Sequence, residues 1–307
     1  MGNQETRGMH FVPETYLKKF GVYDNKKDCS VFFLDKTEEI VIKSTTPSNL
    51  CKKRDMYLME GETIEERQYV EDFYQTIESK YDHLYKILTD DSLLEISQEN
   101  HELIILFVIT LLFRAQKLMS VYNNFLKESF TKGHSVAAQF GQNHLMYGED
   151  VISFQNKTID QILKETAKKH NANRVSTQLE IALKLFQYRK DNSIVIFKIA
   201  DNSFSYLTSD NPVSVYNSEN NIIGLFNIEN ELSLNIDKSH RIIIYPKSFI
   251  SLPYYISRKV YSGQMAKNET ISSNCEQYLN AEKFLIGNDR RVIEETVHFV
   301  KSNCKNN

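Results

Sequence analysis

A chain of 307 residues with 41% apolar and 25% charged side chains has the composition of a folded globular protein, far from the low-hydrophobicity, high-charge signature of disorder. Its formal net charge of -3 provides no global basic field for a nucleic-acid backbone, although a local patch can still supply one. Cys29, Cys51, Cys275 and Cys304 form no CxxC pair and carry no catalytic-cysteine signature, so all four are expected to be reduced.

Residues 1–9 are polar and lack an apolar core, which predicts no secretory signal peptide. Pro13 suits the first turn of a short helix over residues 14–20, because its missing N–H is unpaired there anyway. Two β-rich runs at 30–34 and 40–43, joined by a polar turn, read as a hairpin. Thr63 and Glu66 make a T-x-x-E capping box, and apolar residues recur at Val70, Phe73, Ile77, Tyr81, Leu84 and Leu88, the spacing of one continuous amphipathic helix. Ser97 can cap a second long helix over about 98–130. The apolar run inside it, 103–113, is well short of the ~20 residues that span a bilayer, so it is a core helix. A cytoplasmic protein without membrane insertion is expected.

Between Gly133 and Asn156 the pattern weakens and predicts irregular structure with about one helical turn. Helices come next over 159–169, capped by Thr158, and over 176–188. From Ser193 the period changes. Short β-rich runs at 194–199, 204–207, 213–216, 222–226, 241–245 and 249–252 suggest an antiparallel sheet. A polar helix near 272–279, a strand at 284–286 and a helix at 291–300 complete the pattern.

The expected fold is therefore α+β, with a helical N-terminal two thirds of long antiparallel helices packed on a mostly antiparallel sheet in the C-terminal third. No repeat or linker composition marks a boundary, so one domain over 1–307 is expected, its helical half about 1–190 and its sheet half about 191–307.

Three constellations could carry chemistry. His10 precedes a helix start, where an imidazole can act as base, acid or metal ligand, or simply hydrogen-bond the incoming chain. Asp210 and Asn211 sit in Thr208-Ser209-Asp210-Asn211-Pro212, where a carboxylate and an amide at a strand end can bind a metal, a ribose or a carbonyl. The same letters also make a polar turn. Arg114 ends the apolar run and Glu78 adjoins the stripe at Ile77 and Tyr81, so each is expected to have a partner, and an ion pair bolting two helices together accounts for both.

Seven segments, taken in order, resemble the bacterial family catalogued as domain of unknown function 4238. They are HFVPETYLKKF at 10–20, RDMY at 54–57, IESKYDHLYKIL at 77–88, FVITLLFR at 107–114, YLTSDNPV at 206–213, IIIYPKSFI at 242–250 and NCEQYLNAEKFLI at 274–286. The resemblance covers nearly the whole chain, and its most specific parts are the His-x-x-Pro-x-x-Tyr-Leu-x-x-Phe opening and Ser-Asp-Asn-Pro. It points to His10, Tyr57, Glu78, Arg114, Asp210, Asn211 and Asn274. Leu111 departs from it, since relatives often carry glutamine there.

The residue set supports three readings. As a hydrolase of nuclease or phosphoesterase type, Asp210 with His10 or Glu78 would hold a divalent metal or activate water, with Asn211 beside them and Arg114 on a phosphate oxygen of a nucleic acid or another phosphoester. As a binding or sensor module, the same cluster, with Tyr57 and Asn274, would fix a small ligand. As a structural junction, it would pack the helical half on the sheet half. P-loop, dinucleotide, zincin and nucleophile-elbow motifs are absent from the sequence.

Overall fold

The structure, a computed structural model, describes residues 8–38, 41–148, 150–169, 171–216, 227, 229–247 and 254–303. The chain opens with strand β1 (Gly8–His10), the short helix α1 (Glu14–Leu17) extended by a 3-10 turn at Lys18–Phe20, and strands β2 (Val22–Tyr23), β3 (Cys29–Asp35), β4 (Ile42–Thr45) and β5 (Lys52–Arg54). Helices α2 (Ile64–Glu78), α3 (Tyr81–Thr89), α4 (Gln98–Arg114) and α5 (Gln116–Gln139) come next, then the hairpin β6 (His144–Tyr147) and β7 (Asp150–Ser153), and helices α6 (Ile159–Lys169) and α7 (Asn171–Arg189). The remainder is β8 (Ser193–Ile199), β9 (Thr208–Ser209), β10 (Val213–Tyr216), β11 (Glu231–Asn235), β12 (His240–Tyr245), β13 (Ile256–Tyr261), α8 (Gly263–Asn280), β14 (Phe284–Gly287) and α9 (Arg290–Asn303).

This is a mixed α/β arrangement, 49% helix and 23% strand, whose sheets begin at the N-terminus. The α+β expectation of a helical first two thirds and a sheet confined to the last third is overturned. One five-stranded sheet has the order β10-β11-β12-β8-β13, antiparallel except where β13 runs parallel to β8. A second sheet, β2-β3-β14-β9 with β4 on β3, joins strands from both ends of the chain: Leu285 of β14 lies between Leu34 of β3 and Ser209 of β9. Strands β1 and β5 form a separate antiparallel pair. Long-range pairing of this kind leaves no local periodic signal, which is why β1, β5 and β13 were not expected; β2 and β11, which pair with the next strand in the chain, were not expected either.

Local chemistry sets several boundaries as expected. The Thr63 hydroxyl accepts from Glu66 N while Glu66 reaches back to Thr63 N, a complete capping box. Ser97 caps α4 at Asn100 N, and Thr158 accepts from Gln161 N at the start of α6. Three expectations differ. The continuous helix from Thr63 to Leu88 is two helices separated at Ser79 and Lys80. The helix over 98–130 breaks at Ala115, which is extended for one residue (φ -62°, ψ 144°), so α4 and α5 meet at a 45° bend. The stretch from Gly133 to Asn156 is the end of α5 and the β6–β7 hairpin, and residues 204–207 are not a strand. The β-rich runs at 222–226 and 249–252 lie outside the described residues.

One apolar cluster unites the opening segment (Phe11, Tyr16, Leu17), helices α2 to α4 and α7, and the inner face of the five-stranded sheet (Ile194, Leu232, Leu234, Ile242, Ile244). Tyr81 stacks on Phe107 at 4.5 Å within it. Arg258 of β13 donates to the carbonyls of Ile87, Leu88 and Leu93, closing the C-terminal end of α3 from the sheet. Among the described residues no single helix is long and apolar enough to cross a membrane. The bent pair α4 and α5 passes that test by length and composition, but most of α4 is buried against the core.

Candidate functional site

The opening segment and helix α4 meet at Arg114, which is 3% exposed. Its Nη1 donates to Glu78 Oε1 at 2.5 Å, its Nη2 to the backbone carbonyl of His10, and its Nε to Tyr57 OH at 3.5 Å. The guanidinium lies over the Tyr74 ring at 4.4 Å and the Tyr57 ring at 5.4 Å. Glu71, Tyr74 and Glu78 lie along one face of α2 at helical spacing, so the helix presents two carboxylates and a ring toward this arginine. Glu71 is buried, keeps one oxygen without a partner among the described residues, and has its pKa raised by that burial against the opposing pull of Arg114 and Gln75. Sequence reasoning missed Glu71 and Tyr74, although their spacing to Glu78 was available.

His10 contributes its backbone carbonyl to Arg114. Its imidazole Nε2 faces the Ser48 carbonyl at 3.3 Å, and burial lowers its pKa despite the Ser48 contact and the charges of Glu14 and Glu78.

The Ser-Asp-Asn-Pro string lies where the chain leaves the second sheet at β9 and enters the five-stranded sheet at β10. Asp210 is 0% and Asn211 2% exposed. Asp210 accepts from Glu282 N at 3.0 Å on Oδ1 and from Lys283 N at 2.8 Å on Oδ2, holding the turn between α8 and β14. Burial pushes its pKa up to about 6, against the pull of these backbone donors. Asn211 Oδ1 accepts from Lys117 N at 2.9 Å, capping the start of α5, and its Nδ2 donates to Asn280 O at 3.1 Å at the end of α8. Lys36 donates to Tyr278 O and Ala281 O on the same turn.

Asn274 belongs to a third group. Its Oδ1 accepts from Leu207 N at 2.8 Å and its Nδ2 donates to Ser205 O at 2.9 Å, satisfying the backbone of an irregular segment that has no sheet partner. Tyr16 OH reaches both Thr208 Oγ1 of β9 and Asn235 O of β11, fastening the two sheets together.

The structure thus brings Arg114, Glu78, Tyr57 and the His10 backbone together, and separately Asp210 with Asn211. Among the described residues no hydrogen bond or ion pair joins the two groups, and none joins either to Asn274. Nor is any group of three or more His, Cys, Asp or Glu side chains among them placed to hold a metal ion.

The open feature beside the first group is a cleft of about 550 Å³ between the segment after β5 and helices α5 and α7. Arg54, Asp55, Leu58, Met59, Met119 and Arg174 line it. Arg174 is half-buried and bonds only amide oxygens, Asn171 Oδ1 at 2.5 Å and Gln178 Oε1 at 3.4 Å, with no carboxylate partner among the described residues. Burial lowers its pKa, and the phenol oxygens of Tyr57, Tyr122 and Tyr74 act against that. Tyr57 and Tyr74 thus interact electrostatically with both Arg114 and Arg174. Burial pushes Tyr74 up to about 12, with Arg114 opposing. Asp55 adopts φ 55° and keeps Oδ1 buried without a hydrogen-bond partner among the described residues. No curated protein and no solved structure matches the chain. A family model does match it over residues 9–291, most of its length, and the chain therefore belongs to the family described as Protein of unknown function (DUF4238).

Proposed function

We propose that the protein is a small-molecule-binding module whose ligand places an anionic group, phosphate or carboxylate, against Arg174 in the cleft between α5 and α7. The observation that carries this reading is the half-buried Arg174 guanidinium with no carboxylate partner among the described residues. A cation taken partly out of water without a counter-charge is costly, and an anion from solution removes that cost. Around it Lys53 and Arg54 are matched in number by Asp55 and Glu60, so Arg174 is the unmatched charge of the lining. Leu58, Met59 and Met119 offer an adaptable apolar wall for the rest of the ligand, and the free Asp55 oxygen can accept from a hydroxyl or amine. Residues 54–56 of the RDMY string line the cleft and Tyr57 backs it, tying the site to the segment that carries part of the family resemblance.

The nuclease or phosphoesterase reading asks Asp210 to hold a metal or activate water. Both its carboxylate oxygens accept backbone N–H groups and the side chain is closed to solvent, so the geometry favours binding over that chemistry. The test is thermal melting with inorganic phosphate, adenosine monophosphate and a set of small carboxylates, on the native protein and on Arg174→Gln. A ligand at about a hundred times its Kd adds ~2.7 kcal/mol to the native protein. Stabilisation that persists in Arg174→Gln rejects the site. Turnover of RNA, DNA or nucleotides that Asp210→Ala abolishes, with its fold retained, restores the hydrolase reading instead.

A further inference from the structure

A second depression shares no lining residue with the Arg174 cleft. It is an open groove of about 770 Å³ between β10 and α8, with Phe299 of α9 at its edge. Its apolar walls include Leu279 and Phe299, which stay 63% and 45% exposed, so a hydrocarbon surface is left in contact with water.

The polar side of the groove is Glu276. Arg241 of β12, almost fully buried, donates Nη1 to Glu269 Oε1 at 2.8 Å and Nη2 to Glu276 Oε2 at 3.0 Å. The same Nη2 meets Tyr216 OH at 3.1 Å, and Nε bonds Ser233 Oγ at 2.7 Å. Two carboxyl groups, seven residues apart on one face of α8, therefore share one guanidinium; burial raises the Glu276 pKa to about 7 against a hydrogen bond from Ser214, so one negative charge is left over once Glu276 ionises. Glu276 Oε1 is buried and has no hydrogen-bond partner among the described residues. None of the described residues lining the groove is a lysine or arginine, and Lys117, which reaches the groove residue Asn280, gives its ammonium to the amide oxygen at 2.9 Å.

A carboxylate oxygen shielded from water and lacking a donor is strongly disfavoured, and a cationic donor relieves it most. Tyr216 and Phe299 add aromatic faces that attract an ammonium. A smaller cavity of about 150 Å³ adjoins the groove through Ile271, Cys275 and Phe299. It is lined by Ser205, which is 8% exposed and has a hydroxyl without a partner among the described residues.

We propose that this groove binds a small organic amine, its ammonium on Glu276 Oε1, its hydrocarbon body against Leu279 and Phe299, and any polar far end toward Ser205. The inference is independent of the anion-binding reading, since the two depressions have no residue in common.

The test is calorimetric titration of the full chain with n-hexylammonium, using 1-hexanol and hexanoate as controls of the same body without the positive charge. Saturable binding of the amine alone is expected, weakened roughly tenfold or more, ~1.4 kcal/mol or more, in Glu276→Gln and unaffected in Arg174→Gln. Leu279→Lys, at an exposed position that leaves the core untouched, should weaken it comparably by repulsion, and keeps the test decisive if Glu276→Gln does not fold. Equal binding of amine and alcohol, amine binding unchanged in both groove variants, or no saturable binding at millimolar amine each overturns the proposal.

Discussion

Asp210→Ala separates a junction residue from one that serves a substrate. In the native protein Asp210 holds the N–H groups of Glu282 and Lys283 at 3.0 and 2.8 Å. Hydrogen bonds to a charged acceptor contribute roughly 1.5–3 kcal/mol each, so the pair represents about 3–6 kcal/mol. Opposing it is the cost of burying the carboxylate, which raises its pKa from 3.8 to about 6. At about 1.4 kcal/mol per pKa unit that is ~3 kcal/mol against the ionised form. The net loss on truncation is then about 0–3 kcal/mol near neutral pH, and it depends on pH with a definite sign. A carboxyl whose folded pKa is raised gives a contribution fully present below its unfolded value, 3.8, and lost as pH rises through about 6. The stability difference between the native protein and Asp210→Ala should therefore be larger at pH 4.5 than at pH 7.5, by about 2 kcal/mol. Urea unfolding at the two pH values, with the slope monitored to exclude a change in the denatured state, measures it. A difference near zero at both, or one that grows with pH, refutes the junction role.

Arg114→Met should cost roughly 3–5 kcal/mol, because it strands the half-buried Glu78 and the His10 carbonyl, and a double-mutant cycle with Glu78→Gln should return a coupling above about 1 kcal/mol in urea melts. Asn211→Ala should cost about 1–2 kcal/mol and selectively lose amide-exchange protection at the first turn of α5, where Lys117 N is capped. His101 is buried with its pKa lowered chiefly by burial, so its neutral form contributes stability above pH 6.5 that is lost as pH falls through its folded value; His101→Phe should flatten acid destabilisation below pH 6.5, read by thermal melting. Arg258→Leu should destabilise by about 1–3 kcal/mol, with exchange protection lost first at the end of α3.

Features written within a few residues of one another were the ones legible in the sequence. Thr63 with Glu66, Ser97 and Thr158 each cap the helix immediately after them, and the β-branched apolar runs of β8 and β12 are local. The break at Ala115 could not be read that way. The donor it exposes at Lys117 is satisfied by Asn211, 94 residues on, so the apolar run through 103–113 looks continuous with the residues of α5. The split at Ser79 escaped for another reason: Ile77, Tyr81, Leu84 and Leu88 keep their spacing across it and bury in one core.

The candidate residues were legible as an unusual set, but their grouping was not. His10 resembles a catalytic imidazole in sequence, yet the atom that meets Arg114 is its backbone oxygen. Asp210 and Asn211 spend their polar atoms on the ends of α5 and α8, elements that the string itself does not announce. Arg174 sits in α7 among polar residues and carries no motif; only the absence of a carboxylate beside it among the described residues, a property of packing, distinguishes it.

The central claim, an unmatched cation at Arg174 that awaits an anion, is tested most directly by the side-chain Nε–H resonance of that arginine in a ¹⁵N-labelled sample titrated with inorganic phosphate, the signal being assigned by its disappearance in Arg174→Gln. A saturable shift of the Arg174 signal, larger than those of the surface arginines 290 and 291 and not shared by Arg114, is the predicted result. An Arg174 signal that stays in place, or that drifts only in step with the surface arginines as salt is added, contradicts it.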